Sequence, residues 1–280
     1  MKNENRRQTL GFGVLLLATL FVVIPVTAII ILIITKGWGA LSWEFLFSMP
    51  REGMRAGGIL PAIIGTVYLV LTSILFALPI GVLAAIYLSE YAKDTPLTRI
   101  INLAIINLAG VSSVVFGLFG LSLFVVFLKF GVSIISGALT LGIMTLPVII
   151  TTTREALRSV PPSYREVSFS LGASRWQTVR HAVLPRALPG ILTGAILSIG
   201  RVAGETAPIL FTVAAFYLPK LPTGLSDQAM ALPYHLYIIT TQIPGIPETY
   251  RYGTAFVLIG FVLIMNITAT VIRSKTRKKK

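Results

Sequence analysis

Apolar runs long enough to cross a bilayer recur along this whole chain, and no soluble architecture can absorb them. They lie at roughly 10–34, 62–89, 100–128, 132–153, 188–215 and 253–272, each at or above the roughly 20 residues a spanning helix needs. Hydrophobic residues make up 55% of the chain and charged residues 12%, which leaves too few charges to solvate the outside of a water-soluble body. A transmembrane barrel would show short segments of alternating hydrophobicity instead. The expected fold is therefore an all-α polytopic membrane protein with six transmembrane helices. The fourth run is interrupted by Gly131, Gly137, Gly142 and Pro147, residues that membrane helices tolerate where neighbouring helices satisfy the freed backbone.

The fifth run holds Arg201 and Glu205 inside an otherwise apolar stretch. An intramembrane charge marks a functional site by default. Four residues apart, the two side chains share one face of a helix and can neutralise each other, which lowers the cost of holding both in a low dielectric. That face is expected to look inward, where the pair could meet or gate a charged solute. The alternative is that the pair only locks two helices together.

A net charge of +14 could suggest nucleic acid, but the basic residues fall where topology would put them. With the N-terminus inside, the inner segments hold 17 of the 24 basic residues, the outer segments hold Lys36, Arg51, Arg55, Lys129, Lys220 and Arg251, and Arg201 lies within the membrane. Excess Lys and Arg mark cytoplasmic loops, so both termini are expected in the cytoplasm and no nucleic-acid partner is expected. The first run follows Arg6 and Arg7 but is too long for the apolar part of a cleaved leader, so it is expected to stay as an uncleaved helix. The basic run Arg273 to Lys280 reads as a topology anchor against membrane lipid.

Most catalytic chemistry is missing. The chain has no cysteine, which excludes disulfides and thiol catalysis. His181 and His235 fall on opposite sides of the expected membrane and cannot share a metal. No glycine-rich phosphate loop followed by Lys-Ser/Thr is present, so no ATP site is expected in this chain. The pairs Gly117/Gly120 and Gly190/Gly194 read as close helix contacts.

The longest inner loop, from Arg154 to Pro189, is patterned as two short helices. Pro161-Pro162-Ser163 can open the first, Gly172 separates them, and Leu184-Pro185 is expected to end the second. Such an amphipathic segment could also lie on lipid. Within it, Glu166-Val167-Ser168 is followed after three residues by Gly172 and after nine more by Ala182-Val183-Leu184-Pro185. This resembles the coupling loop of ABC import permeases, Glu-Ala-Ala, three residues, Gly, nine residues, Ile-x-Leu-Pro. Val167 and Ser168 replace the two alanines, and Ala182 stands at the isoleucine. The resemblance implies a type I ABC importer permease fold. It also implies that Glu166, Gly172, Leu184 and Pro185 shape the contact with a separate ATPase subunit.

Arg201-Val202-Ala203-Gly204-Glu205 is similar to the Arg-x-x-Gly-Glu of oxyanion permeases, which sulfate and molybdate permeases share. The continuation Thr206-Ala207-Pro208-Ile209-Leu210 resembles phosphate permease subunits of the PstA type, as do Gly65 to Ala92 and Arg154 to Pro189. Ser112 stands where similar proteins often have proline after Gly-Val, which leaves the third span without a proline to kink it.

The resemblance implies half of a phosphate path, with Arg201, Glu205 and Thr206 as pathway or gate residues and no catalysis by this chain. ATP and Mg would be bound by two PstB-like ATPase subunits, and the other partners would be a PstC-like permease and an external PstS-like phosphate-binding protein. Residues 1–57 would form the tail, first helix and outer loop. Residues 58–273 would form the permease domain, with coupling loop 154–187 and outer loop 216–252, and 274–280 a basic tail. The outer loop's Tyr217, Tyr234, Tyr237, Tyr250 and Tyr252 could dock the binding protein or form an interfacial belt. Two rival readings are a sulfate or molybdate permease and a gradient-driven carrier, although a carrier would not need the patterned loop.

Overall fold

The computed structural model describes the backbone of residues 2–278. Lys279 and Lys280, the side chains of residues 2–7, 9, 10, 272 and 275–278, and with them most of the basic residues assigned to the two tails, lie outside the described residues.

In chain order the helices are α1 (Lys2–Gly37), α2 (Trp43–Phe47), α3 (Leu60–Ile86), α4 (Pro96–Ala109), α5 (Ser113–Gly120), α6 (Ile134–Arg158), α7 (Ser163–Ser170), α8 (Arg175–Thr178), α9 (Leu184–Gly204), α10 (Ala207–Thr212), α11 (Leu232–Thr241) and α12 (Glu248–Lys278). A short hairpin with strands of two residues each joins α2 to α3, with β1 (Pro50–Arg51) antiparallel to β2 (Ala56–Gly57) and Pro50 opposite Gly57. Five helical stretches are long and apolar enough to cross a membrane, and a bent pair supplies a sixth.

That bent pair shows that the third span kinks although Ser112 stands in place of a proline. α4 and α5 meet at 105°. No proline is needed, because Ser112 itself adopts φ −62°, ψ 143°, the extended conformation that proline favours. Its carbonyl then accepts from the N–H groups of Val115 and Phe116 and starts the new helix.

The fourth run, irregular on paper, is the central helix. α6 runs unbroken for 25 residues, and two of its glycines serve close packing, Gly137 under Val213 and Leu69 and Gly142 under Phe76. The first N–H groups of a helix have no partner within it. Here the backbone N–H of Ile134 donates to the Asp227 carbonyl at 2.8 Å and that of Ile135 to the Leu225 carbonyl at 2.9 Å. The chain following α10 thus caps the central helix.

The fifth span also differs from expectation. α8 runs through a wide helical turn at Val179–Val183 directly into α9, so Leu184-Pro185 opens a helix rather than ending one. The wide turn accommodates a proline ring that would clash with the carbonyl four residues back. At the far end α9 stops at Gly204, and Glu205, at φ −74° and ψ 138°, turns the chain into α10.

Two hydrophobic clusters result. The larger includes Leu69, Leu141, Met144, Ile209, Met230, Leu232 and Ile239. The smaller lies largely within the Arg154–Pro189 segment and joins Ala156, Leu157, Val160, Val179, Val183 and Ala187 to Ile86 and Ile191. Part of the presumed surface loop 216–252 belongs to the larger cluster. Ala229 through Leu232, Tyr234 and Tyr250 are buried, whereas Tyr217 and Tyr237 remain exposed. Close passage of this segment over α3 depends on Gly65, where any Cβ would run into the Met230 carbonyl.

Candidate functional site

Arg201 lies in the last turn of α9, and Glu205 is the residue that ends the helix. Arg201 Nε stands 3.6 Å from Glu205 Oε1, with side-chain exposures of 34% and 18%. This is an ion pair just beyond hydrogen-bonding distance. The neighbouring Val202 and Ala203 are buried in the core, while Gly204 is exposed and Thr206 half-buried. Both charges therefore sit on the open flank of α9 and not inside the chain's own core. Thr206 begins α10, and its side chain makes no cap bond. The break between α9 and α10 frees backbone polar groups where the charges are, as interrupted membrane helices do at ion-binding positions.

The Arg154–Pro189 segment forms the second part. Glu166, Val167, Phe169 and Leu171 on and just after α7 are exposed, and Leu171 is 82% exposed. Gly172 holds φ +77° between α7 and α8, a backbone that L side chains adopt only with strain. Ser174 then caps α8 with a capping box completed by Gln177. Ser168 and Thr178 hydroxyls are 2.9 Å apart, tying the two helices together. The small Ser168 at an alanine position of the motif thus gains a bond. Arg186 stacks over the Tyr164 ring at 3.8 Å.

A group that the sequence did not point to lies at the base of this loop. Arg165 Nη2 donates to Glu90 Oε1 at 2.6 Å and Nε to Glu90 Oε2 at 3.2 Å. Its remaining N–H groups reach the carbonyls of Leu157 and Val160 at 3.0 Å. Glu90 lies on the wide turn Tyr87–Tyr91 that prolongs α3. An acid at the very end of an apolar span was the available signal, but spacing alone does not pair it with a residue 75 positions away. Arg154 likewise reaches back to Asn102 at 2.7 Å. The glycine pairs do make close contacts: Gly117 faces α10, Gly120 meets Thr140, and Gly190 and Gly194 meet Ala156 and Thr152 of α6.

Residues 77–278 match the family model of binding-protein-dependent transport system inner membrane components. The chain belongs to that family. It is a multi-pass inner-membrane permease component, and its relatives are permease subunits. A probable ABC transporter permease protein, YqgI, of Bacillus subtilis is 36% identical over 261 residues, covering 88% of each chain. The phosphate transport system permease protein PstA 1 of Mycobacterium tuberculosis is 35% identical over 261 residues, covering 91% of this chain and 85% of that one. Among solved structures, a bacterial ABC transporter that imports alginate superposes with a TM-score of 0.68 at 15% identity, covering 98% of each chain. This likeness establishes the type I importer permease fold.

Proposed function

We propose that this chain is the permease subunit of an ATP-driven importer of inorganic phosphate, forming half of the path and coupling to a separate ATPase. The observation that carries this reading is the Arg201–Glu205 pair at an interrupted helix, in a chain 35% identical to a phosphate permease along nine-tenths of its length. An oxyanion leaving water needs positive potential without a well deep enough to hold it. Arg201 supplies attraction, Glu205 limits it, and Thr206 offers a hydroxyl at the break. A PstC-like subunit facing the open flank of α9 would enclose the path.

On the same reading, both termini and the segment 154–187 are cytoplasmic and 216–252 is external. Glu166, Gly172, Leu184 and Pro185 shape the seat of one of two PstB-like ATPase subunits, which bind ATP and Mg and perform the hydrolysis. Exposed Phe169 and Leu171 supply apolar area for that seat. A PstS-like protein delivers phosphate at the outer face, over the permease domain 58–273.

The test is uptake of radiolabelled phosphate in cells lacking this chain and in the same cells with it restored, with unlabelled phosphate, sulfate or molybdate in competition. Restored uptake blocked by phosphate alone supports the reading. Equal block by sulfate or molybdate assigns another oxyanion, and no restoration removes the substrate altogether.

A further inference from the structure

Resting on the permease reading, we propose that the Arg165–Glu90 pair is the positioning link that makes the coupling helix α7 and the end of α3 move as one body. One guanidinium ties three elements. Its fork closes on both oxygens of Glu90 at the end of α3, and it also donates to Leu157 in the last turn of α6 and to Val160 just beyond it. Arg165 sits in the first turn of α7, one residue before the exposed Glu166. Side-chain exposures of 21% and 11% make this the most enclosed ion pair among the described residues, unlike the exposed pairs Lys36–Glu248, Arg51–Glu44 and Arg99–Asp94. A bidentate fork fixes direction as well as distance, which a single flexible contact does not.

The surroundings stiffen the link. Arg175 Nη1 donates to the Glu90 carbonyl at 3.3 Å, and the smaller hydrophobic cluster packs Ile86 and Tyr91 of α3's end against Leu157, Val160, Val179 and Val183. Glu90 stands on the wide turn Tyr87–Tyr91, closed by the Ala92 N–H on the Tyr87 carbonyl. An inserted residue rotates the positions after it by about 100°. The turn is thus part of what aims Glu90 at α7. α3 in turn packs along α6 and α9, so a displacement of α7 is carried to α9, the helix whose last turn bears Arg201. The three elements around Arg165 share one body at their base, a contiguous network of packed side chains and hydrogen bonds of the kind that carries coupling between sites.

The experiment uses the assembled transporter with its ATPase subunits. Because the chain has no cysteine, spin labels placed by Lys93→Cys and Ser170→Cys, in a complex whose partner subunits carry no reactive cysteine, report the separation of α3's end and α7. In the wild-type pairing this distance stays constant between nucleotide-free and ATP-bound states. In Glu90→Gln and Arg165→Lys it changes on ATP binding. In proteoliposomes with binding protein, phosphate moved per ATP falls about threefold to tenfold in both variants, while the ATPase subunit still co-purifies. Unchanged distance and unchanged ratio in both variants overturn the link. Loss of co-purification in both also overturns it, because the pair would then serve folding alone. A wild-type complex that moves sulfate instead leaves the distance comparison valid, and so fails the substrate reading without touching this one.

Discussion

Thr66 Oγ1 accepts a 2.8 Å hydrogen bond from the backbone N–H of Leu232, 166 residues further along the chain. Both groups are buried. This N–H is one of the free donors at the start of α11, so Thr66 of α3 serves as a cap for a helix distant in sequence. Thr66→Val leaves that donor buried without a partner. The expected loss is about 1–3 kcal/mol, read as a lower thermal midpoint of the detergent-solubilised transporter, with Thr66→Ser retaining most of the stability.

Acid sensitivity follows from His235. It is buried on α11 with neither ring nitrogen hydrogen-bonded, and burial pushes its pKa from the ordinary 6.5 to about 4. The unfolded chain therefore takes up a proton between those values while the native state does not. Native stability is flat above pH 6.5 and falls as pH drops from 6.5 toward 4, by up to roughly 3 kcal/mol. Unfolding midpoints followed from pH 7 to 4 should show this slope, and His235→Gln should flatten it.

Arg201→Ala should reduce phosphate uptake about tenfold to a hundredfold, the worth of one hydrogen bond to a charged group, with the protein still inserted and assembled. Arg201→Lys keeps the charge and should retain part of the uptake. Full uptake by Arg201→Ala in an assembled complex would leave the pair with helix packing only.

Gly172→Val places a branched side chain at φ +77°, a strain of roughly 1–2 kcal/mol. No neighbour lies close enough to clash with a new Cβ there, so the effect is confined to the turn between α7 and α8. Less ATPase subunit should co-purify with the variant, while membrane insertion stays at the wild-type level.

Asp227 accepts from the Thr223 hydroxyl and from the backbone N–H groups of Thr223 and Gly224, which hold its carboxyl below the ordinary 3.8. The same residue lends its carbonyl to the first turn of α6. Asp227→Ala should therefore loosen the start of the central helix, seen as faster amide exchange at Ile134 and Ile135.

Hydropathy alone determined the helical membrane class and the regions of the spans, because a bilayer core forces apolar stretches of one length to satisfy their own backbone. The two short helices parted by Gly172 and the pairing of Arg201 with Glu205 were legible for the same kind of reason: local spacing within a few turns of one helix or loop. Tertiary structure decided what spans long separations. It bent the third span at Ser112 without a proline and made α6 the central helix. It also drew Ala229–Leu232 into the core and closed Arg165 on Glu90. Each of these depends on which distant backbone group or side chain comes within about 3 Å, and no periodicity in a single strand of sequence records such a meeting.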